Sequence, residues 1–363
     1  MCLTPPRHPP GVPGPLESLD NPDPIPTHLL MLMNILVTGG AGYIGSHAVK
    51  RLCDGGHHVV VIDNLFRGHR AAIPTQVPFY PIDLRTAQGL TNVLESHRIE
   101  AVMHFAGLAY VGESVDQPLN YFQNNTVGSI NLLAAMAQVG VRRLVFSSTC
   151  TTYGIPKSVP IVETEVQRPI NPYGWSKLFV ERILSDHAQT DDQFSYAALR
   201  YFNVAGAAQD GAIGEDHNPE THLIPVLLQT AMGHRDFATI FGNDYDTADG
   251  TCIRDYIHVE DLVDAHATVL ESLASGKRRA YNLGTGQGTS VMQVIESVRR
   301  VTGLKLPVKV GERRPGDPPI LYANAAKIHD ELGWQARIND LDEMVQSAWS
   351  WFQTHPLGYE KQN

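Results

Sequence analysis

The run TGGAGYIGSH, which follows the apolar strand NILVTG, constrains the fold of this chain more than any other stretch. Its glycines Gly39, Gly42 and Gly45 form a GxxGxxG pattern between a predicted strand and a predicted helix. Glycines at such a turn let backbone amides and a helix N-terminus approach a pyrophosphate, because no Cβ obstructs the contact. The pattern therefore predicts a dinucleotide site, although a tight structural turn would use the same glycines.

An acidic residue at the end of the second predicted strand extends this pattern. Asp63 stands where a carboxylate accepts hydrogen bonds from ribose hydroxyls and repels a 2′-phosphate, which favours NAD over NADP. Arg67 nearby weakens that preference because a guanidinium attracts a phosphate. Asp83 ends the third strand where an adenine contact is expected, and an aspartate that only caps the turn would look the same in sequence.

Apolar strands alternate with helix-length amphipathic segments from Asn34 onward. This alternation is typical of βαβ units in an α/β protein with a doubly wound, parallel, Rossmann-type sheet. Ligands of such sheets bind beyond the carboxyl ends of the strands. The predicted strands are residues 34–39, 58–63, 77–83, 101–107, 143–149 and 196–202.

The same reading divides the chain into domains. Residues 1–33 contain nine prolines and are predicted to be a disordered leader. Residues 34–202 are predicted to form the NAD-binding domain. Residues 203–363 should form mainly a smaller α/β domain that binds the substrate, with a strand and helix at about 254–273 returning to the first domain.

Composition excludes several classes of protein. The 363-residue chain has a formal net charge of −10, which argues against nucleic acid as a partner because nucleic-acid binders concentrate Lys and Arg on one face. The four cysteines lie far apart without CxxC spacing, so we predict no disulfide framework, no metal site and a reducing, cytoplasmic location. No apolar run reaches the roughly eighteen residues that a membrane span requires.

The segment NPYGWSK opens an amphipathic helix and places a tyrosine and a lysine on one face. Asn171 and Pro172 are typical of a helix start, and Tyr173 and Lys177 are then i, i+4 neighbours, a common arrangement in itself. Free tyrosine is only about 0.1% ionised at pH 7, so a tyrosine base needs a nearby positive charge. Lys177 and a bound nicotinamide ring could supply it. Thr149, where the fifth strand ends, could direct its hydroxyl at a substrate or only cap the next turn.

Seven motifs together resemble the extended short-chain dehydrogenase/reductase family, and within it the enzymes that epimerise UDP-sugars at carbon 4. The resemblance runs from Asn34 almost to the C-terminus. YxxxK alone marks a large superfamily, whereas FGNDY followed by RDYIHV is far more narrowly distributed. The motifs are TGGAGYIGSH, DNL, HFAGLAYVGESV, FSSTCTTYG, NPYGWSK, RYFNVAGA and RDYIHVEDL.

The resemblance implies reversible 4-epimerisation of UDP-galactose and UDP-glucose through a 4-keto intermediate, with tightly bound NAD. Tyr173 would be the base for the sugar 4-hydroxyl, Lys177 would lower the pKa of Tyr173 and bind the nicotinamide ribose, and Thr149 would bind the 4-oxygen. A homodimer is also implied, in which helices near 118–139 and 173–188 pair across a two-fold axis. Packing of these helices within one chain is the alternative.

The resemblance assigns the other site residues to two groups. The first contacts NAD and comprises Gly39, Gly42, Tyr43, Ile44, Gly45, Asp63, Asn64, Asp83, Leu84, Phe105, Ala106, Asn124 and Phe202, besides Tyr173 and Lys177. The second contacts the nucleotide sugar and comprises Asn203, His222, Leu223, Phe241, Arg254, Tyr256, Arg314, Asp317 and Leu321, besides Thr149 and Tyr173.

Four positions depart from the family pattern. Thr149 replaces a frequent serine and keeps its hydroxyl, whereas Ala109 replaces a frequent lysine and removes a pyrophosphate contact. Arg67 stands where an asparagine is usual. His222 replaces a frequent asparagine, which makes its role in substrate binding less secure.

Other activities of this family leave signatures that can be checked. Sugar-nucleotide 4,6-dehydratases carry an Asp-Glu pair directly after the strand-end threonine, and UDP-glucuronate decarboxylases carry a glutamate there. This chain has Cys150 and Thr151, so neither activity is expected. A non-catalytic NAD-binding protein would typically lose Tyr173 or Lys177, and both are present.

The choice of sugar stays open at the sequence level. In the family, a tyrosine shortly after the RRxGD segment restricts the pocket to unacetylated sugars. Leu321 aligns with that position, but a shift of one residue would place Tyr322 there. UDP-N-acetylglucosamine therefore remains a second candidate substrate, and a 4-epimerase of other UDP-sugars, such as a pentose, is the alternative function.

Overall fold

The computed structural model describes residues 1, 32–314 and 318–359. Most of the predicted leader, residues 1–33, lies outside the described residues. Met33 is buried in the core and donates its backbone N–H to His57 Nδ1 at 3.2 Å, so the end of that segment belongs to the fold. Within the described ranges, no helix is long and apolar enough to cross a bilayer.

Thirteen strands lie in the described part of the chain. They are β1 (Asn34–Thr38), β2 (His58–Ile62), β3 (Phe79–Tyr80), β4 (Ala101–His104), β5 (Arg143–Thr149), β6 (Ser195–Tyr201), β7 (Asn203–Ala205), β8 (Ala238–Phe241), β9 (Ile253–His258), β10 (Arg278–Leu283), β11 (Gly288–Ser290), β12 (Val308–Gly311) and β13 (Ile320–Leu321).

Eleven α-helices accompany these strands in the same ranges. They are α1 (Tyr43–Asp54), α2 (Leu90–Ser96), α3 (Val111–Asp116), α4 (Pro118–Tyr121), α5 (Gly128–Val139), α6 (Pro172–Thr190), α7 (Leu223–Ala231), α8 (Val259–Ser272), α9 (Val291–Thr302), α10 (Ala326–Leu332) and α11 (Leu341–Thr354). A π-helical turn, Phe122–Val127, joins α4 to α5.

Seven parallel strands form the large sheet in the order β10-β6-β5-β4-β1-β2-β3. Ile35, Leu36 and Val37 of β1 are fully buried because helices cover both faces of the sheet. One apolar cluster packs α1, α8 and α10 against the sheet, and another packs α2, α5 and α6 against its opposite face. This is the predicted doubly wound arrangement, in which strand order reverses between β1 and β4.

The smaller sheet is organised around β9, which pairs with β7, β11 and β13. A separate parallel pair joins β8 to β12. Helices α7, α9 and α11 enclose a third apolar cluster with these strands. The residues after β6 thus build a second layer of structure near the carboxyl edge of the large sheet.

The predicted return segment, residues 254–273, is correct only for its helix. α8 packs against the large sheet with α1, but β9 remains in the smaller sheet because it is in register with β7. The strand that returns to the large sheet is β10, which pairs with β6. β10 was missed because its sequence, RRAYNL, begins with two arginines and has Asn282 in its buried half, so it contains no continuous apolar run.

Candidate active site

A cavity of about 1320 Å³ lies at the carboxyl ends of β1, β2, β4, β5 and β6 and continues to the smaller sheet. Asp317 lies outside the described residues. Every other predicted site residue lines this cavity, namely Gly39, Gly42, Tyr43, Ile44, Gly45, Asp63, Asn64, Asp83, Leu84, Phe105, Ala106, Asn124, Thr149, Tyr173, Lys177, Phe202, Asn203, His222, Leu223, Phe241, Arg254, Tyr256, Arg314 and Leu321.

The glycine turn between β1 and α1 has no room for side chains. A Cβ on Gly39 would lie 2.4 Å from the backbone nitrogen of Ala106, and Gly39 also has a φ of +68°. A Cβ on Gly45 would lie 2.1 Å from the carbonyl oxygen of Gly39. The N-terminus of α1 therefore opens directly onto the cavity, which is the arrangement that accommodates a pyrophosphate.

Asp63 is fixed beside this turn. Its Oδ2 accepts the backbone N–H of Ala41 at 3.0 Å, and its Oδ1 accepts that of Leu65 at 2.8 Å. Burial raises the pKa of Asp63, and these two hydrogen bonds oppose the rise. The carboxylate is thus held at the cavity wall with further acceptor capacity for ribose hydroxyls.

Arg67 is engaged by protein groups. Its guanidinium is 2.8 Å from Glu113 Oε1, donates to the carbonyl of Asn218 and lies 4.7 Å from the centre of the Tyr110 ring. A 2′-phosphate at the ribose would have to compete with these contacts. These contacts make the Arg67 guanidinium less available to a 2′-phosphate than the sequence alone suggests.

Asp83 forms a bidentate ion pair with Arg85, two residues further along the chain. Arg85 donates to both carboxylate oxygens, with Nη2 2.6 Å from Oδ2, and Asn64 adds a hydrogen bond of 3.2 Å. The Arg85 contact lowers the pKa of Asp83 to about 2. Asp83 thus faces the cavity as a fixed anion, and the turn-capping alternative is also realised because it accepts the backbone N–H of Arg85.

The predicted catalytic helix begins as its sequence indicates. Asn171 Oδ1 accepts the backbone N–H of Gly174 at 2.8 Å, and Pro172 occupies the first helical position of α6. This start places Tyr173 and Lys177 on one buried face at the end of β5. Thr149, at the end of β5, lines the same cavity as these two residues.

The two titratable groups of α6 respond differently to burial. Burial raises the pKa of Tyr173 well above its usual value, the nearby Tyr201 adds to the rise, and the hydroxyl of Thr149 opposes it. Burial lowers the pKa of Lys177 to about 8. The Lys177 ammonium donates to the carbonyl oxygen of Ser147, 2.8 Å away, and the lowering of the Tyr173 pKa by Lys177 stays a prediction.

Two further residues position this helix, and sequence reasoning missed both. Ser147 offers its carbonyl to Lys177, as described above. Asn125, in the π-helical turn, accepts the backbone N–H of Leu108 at 2.8 Å and donates to the Leu108 carbonyl and to Ser176 Oγ. The available signal was the asparagine pair within FQNNTV, and only its first member, Asn124, was assigned.

The far end of the cavity carries the groups predicted for the nucleotide sugar. Asn203 of β7 and Tyr256 of β9 are direct neighbours across the smaller sheet. The guanidinium of Arg314 lies 5.0 Å from the centre of the Phe241 ring, and Arg254 also lines the wall. Two arginines near an aromatic ring form a site suited to a nucleoside diphosphate.

His222 lies at the start of α7. Its Nδ1 is 2.6 Å from Glu215 Oε1, and although burial disfavours a charged ring, Glu215 raises the pKa of His222. Leu223 follows it at the cavity wall. His222 is therefore paired with a carboxylate. In this respect it differs from the neutral asparagine that is frequent at this position in the family.

Leu321 and its neighbour face opposite ways. Leu321 is buried with Cys150 and Phe202 and lines the cavity. Tyr322 does not line it, and its ring lies beside Gly288. Leu321, and not Tyr322, therefore forms this part of the cavity wall.

Comparison with known proteins identifies the family to which this chain is related. The family model described as NAD dependent epimerase/dehydratase family matches residues 35–284. A UDP-glucose 4-epimerase from Lacticaseibacillus casei is 49% identical over 332 residues, covering 91% of this chain and 100% of that protein. The chain belongs to the NAD-dependent epimerase/dehydratase family.

Solved structures of this family have the same fold. The UDP-glucose 4-epimerase from Bifidobacterium longum in complex with NAD⁺ and UDP has a TM-score of 0.87 and 39% identity, covering 90% of this chain and 100% of that one. The UDP-Glc/GlcNAc 4-epimerase from Campylobacter jejuni has a TM-score of 0.78 and 42% identity, covering 89% and 99%. The predicted fold class, the resemblance and NAD as cofactor are confirmed.

Proposed function

We propose that this chain interconverts UDP-glucose and UDP-galactose by inverting the configuration at carbon 4 of the sugar. One observation carries the proposal: Tyr173, Lys177 and Thr149 line the same cavity, and Cys150 and Thr151 directly follow Thr149 with no carboxylate. A base and a hydroxyl without an additional acid can exchange a proton with a substrate hydroxyl. They offer no group for eliminating water.

The cavity fits NAD at its glycine end. Gly39 and Gly45 leave a turn that any Cβ would fill, and Asp63 is held at the position for ribose hydroxyls. Asn64, Asp83 and Leu84 would hold the adenosine, while Phe105, Ala106, Asn124 and Phe202 would line the remainder. When bound, NAD takes a hydride from carbon 4 and gives it back to the other face of the ring.

The chain's own residues would manage the proton. Tyr173 would accept the proton of the 4-hydroxyl and later return it, and Thr149 would hold the 4-oxygen. A phenolate in this buried place requires a positive charge nearby, because burial alone raises the pKa of Tyr173. Lys177 would contribute its charge by binding the nicotinamide ribose. No net oxidation results, so the cofactor stays bound between turnovers.

The nucleotide would occupy the opposite end of the cavity. Arg254 and Arg314 would bind the diphosphate, and Phe241 would pack against the uracil or ribose. Support comes from the Bifidobacterium longum relative, which was solved with UDP. The remaining proposed contacts are Asn203, His222, Leu223, Tyr256 and Asp317, the last of which lies outside the described residues.

The pocket also favours a second substrate pair, UDP-N-acetylglucosamine and UDP-N-acetylgalactosamine. Leu321 is shorter than the tyrosine that restricts such pockets, and Tyr322 is turned away. The Campylobacter jejuni relative is described as acting on both Glc and GlcNAc forms. We therefore infer that acetylated sugars are accepted.

We infer a homodimer formed by α4, the π-helical turn, α5 and α6. This face carries large apolar side chains that are exposed in one chain, with Leu119 74% and Phe179 41% exposed. Such a patch on a soluble monomer would be unusual. The proposed setting is the cytoplasm, because Cys53, Cys150 and Cys252 are free thiols.

A direct assay tests this function. Purified protein is mixed with UDP-galactose, and UDP-glucose is measured without added NAD. Formation of UDP-glucose is expected because the cofactor is retained, and a protein that forms none even after NAD is supplied would reject the proposal.

The Tyr173→Phe variant tests the assigned base. It should retain its NAD content and lose at least about a hundredfold in kcat. Tyr80→Phe, a tyrosine outside the cavity that bonds His97, is the control and should keep its activity. Undiminished turnover in Tyr173→Phe would refute the role of that residue.

A further inference from the structure

We propose that Glu215, His217, Glu220 and His222 form a binding site for one divalent transition-metal ion, best suited to Zn²⁺. All four belong to the run EDHNPETH, which lies in the connection between β7 and α7. The cysteine pattern, on which the expectation of no metal rested, gives no information about such a site. The proposal does not depend on the epimerase activity.

The four side chains converge on one point. One ligand atom from each residue lies within 4.8 Å of the others. His217 Nδ1 is 3.2 Å from Glu215 Oε1 and 3.6 Å from Glu220 Oε2. Tetrahedral zinc with bonds of about 2.0–2.1 Å holds its ligand atoms roughly 3.3 Å apart, so small side-chain shifts would complete the coordination.

A buried oxygen in the middle of this group is left without a hydrogen bond. Glu220 Oε1 accepts the backbone N–H groups of Thr221 and His222, both at 2.7 Å. Glu220 Oε2 has no hydrogen-bond partner, although its side chain is only 1% exposed. His217 Nδ1 and His222 Nδ1 lie 3.2 and 2.6 Å from Glu215 Oε1, but neither contact has the geometry of a hydrogen bond. Buried polar atoms are seldom left unsatisfied, and a central cation would satisfy all three.

The ligand types select the class of metal. Two imidazole nitrogens with two carboxylate oxygens favour Zn²⁺ or a similar transition ion, whereas Mg²⁺ and Ca²⁺ prefer oxygen ligands alone. Two carboxylates would also neutralise the charge of a divalent ion. Without a metal, two protonated histidines would neutralise the two carboxylates instead. The experiment must distinguish this metal-free arrangement from a bound ion.

The site would hold the cavity wall together. The ring of Tyr110 lies edge-on to both histidines, with centroids 5.9 and 6.0 Å away, and its hydroxyl donates to the Pro219 carbonyl. Tyr43 of α1 lies 6.3 Å from His217. A metal here would fix the 215–222 segment against residues of the large sheet's loops, a structural role.

Metal analysis of the untagged full-length protein tests this site. The protein is stripped with a chelator, incubated with Zn²⁺ and passed through gel filtration, and its zinc content is measured. We expect one tightly held zinc per chain and a rise in Tm on zinc addition. Replacement by Co²⁺ should give the intense visible absorption of a tetrahedral site. No retained zinc and no such absorption would overturn the proposal.

Matched variants locate the ion. His217→Gln and Glu220→Gln should each weaken zinc affinity by more than about tenfold, as judged by competition with a chromophoric chelator. His234→Ala, an exposed histidine outside the cluster, should bind like the unaltered protein. Equal zinc binding by all three variants would show that the metal binds elsewhere and would also overturn the proposal. The Co²⁺ spectrum of the unaltered protein decides the question even if a variant fails to fold.

Discussion

Lys177 holds a positive charge where the protein disfavours one. Its side chain is buried, and its ammonium has the Ser147 carbonyl and the face of the Phe146 ring, 5.0 Å from the ring centre, as neighbours. Burial lowers its pKa from 10.5 to about 8, which corresponds to about 3 kcal/mol. A residue retained at such a cost for stability is typical of a functional site.

Replacing Lys177 by Met should stabilise the protein at pH 7 by up to about 3 kcal/mol while abolishing most turnover. Between about pH 8 and 10.5 the unfolded state of the unaltered protein binds the extra proton, so its own stability rises with pH there. The advantage of the variant should therefore shrink over that range. Urea denaturation at a series of pH values measures it, and a pH-independent difference would contradict this account.

Leu321 provides a second test at the scale of one side chain. Leu321→Tyr should fill the wall that an N-acetyl group would occupy, lowering kcat/KM for UDP-N-acetylgalactosamine by at least about tenfold. Activity on UDP-galactose should change little. Tyr322→Leu is the matched control, since that ring faces Gly288 outside the cavity. Equal effects of Leu321→Tyr on both sugars would argue against this wall as the selective one.

At the scale of elements, α6 is anchored by a buried ion pair one turn beyond Lys177. Glu181 of α6 binds Arg200 of β6 through two hydrogen bonds of 3.0 and 2.6 Å, and Ser148 of β5 donates to Glu181 at 2.5 Å. Arg200 also donates to the hydroxyl of Tyr153. The network connects α6 to β5 and β6, the two strands beneath it.

Breaking this pair should be costly because Arg200 would remain buried and uncompensated. Glu181→Gln is expected to lower the free energy of unfolding by about 3 kcal/mol, as measured by denaturant titration. Glu296→Gln, which removes an exposed pair with Arg299, should change it by less than about 1 kcal/mol. Comparable losses of unfolding free energy in both variants would show that the buried ion pair contributes no more to stability than the exposed one.

Sequence patterns predicted those elements whose signals are local. The glycine turn, the start of α6 at Asn171 and the buried strand β1 follow from backbone sterics, capping and continuous apolar runs. β10 and the π-helical turn were missed because both depend on tertiary pairing. β10 needs the edge of β6, and the turn is stabilised by Asn125 bonding to Leu108, which lies far from it in sequence.

Many of the predicted site residues lie together in one cavity for a similar reason. Residues that end successive parallel strands meet at one edge, so Asp63 and Thr149 could be proposed from their positions alone, whereas Phe202 was assigned by the family resemblance. The orientation of Leu321 against Tyr322 required β13 to be placed beside β9, a register that no local pattern contains. The EDHNPETH cluster was overlooked because its residues converge only through the fold of their loop.

At the scale of the whole molecule, the exposed apolar face predicts association. Phe179 packs against Phe122 and Trp175, with ring centres 5.8 and 5.6 Å apart, and Leu119 extends the same face. Burying such side chains between two chains would remove them from water. The unaltered protein should therefore sediment as a dimer in analytical ultracentrifugation.

The variant Phe179→Glu should shift this protein towards monomers because it would bury an unpaired charge in the interface. Leu304→Glu, an exposed apolar residue after α9, should leave the dimer intact. A monomeric unaltered protein, or a dimer that tolerates Phe179→Glu, would exclude this interface.

The seventh strand of the large sheet comes late in the sequence. β6 ends at Tyr201, and its partner β10 begins only at Arg278. During synthesis on the ribosome, the nascent chain therefore carries β6 as a bare edge while the intervening segment is made. Such an edge can pair with a neighbouring chain. Messages that end before codon 278 should consequently yield insoluble products, whereas emergence of β10 closes that edge from within the same polypeptide.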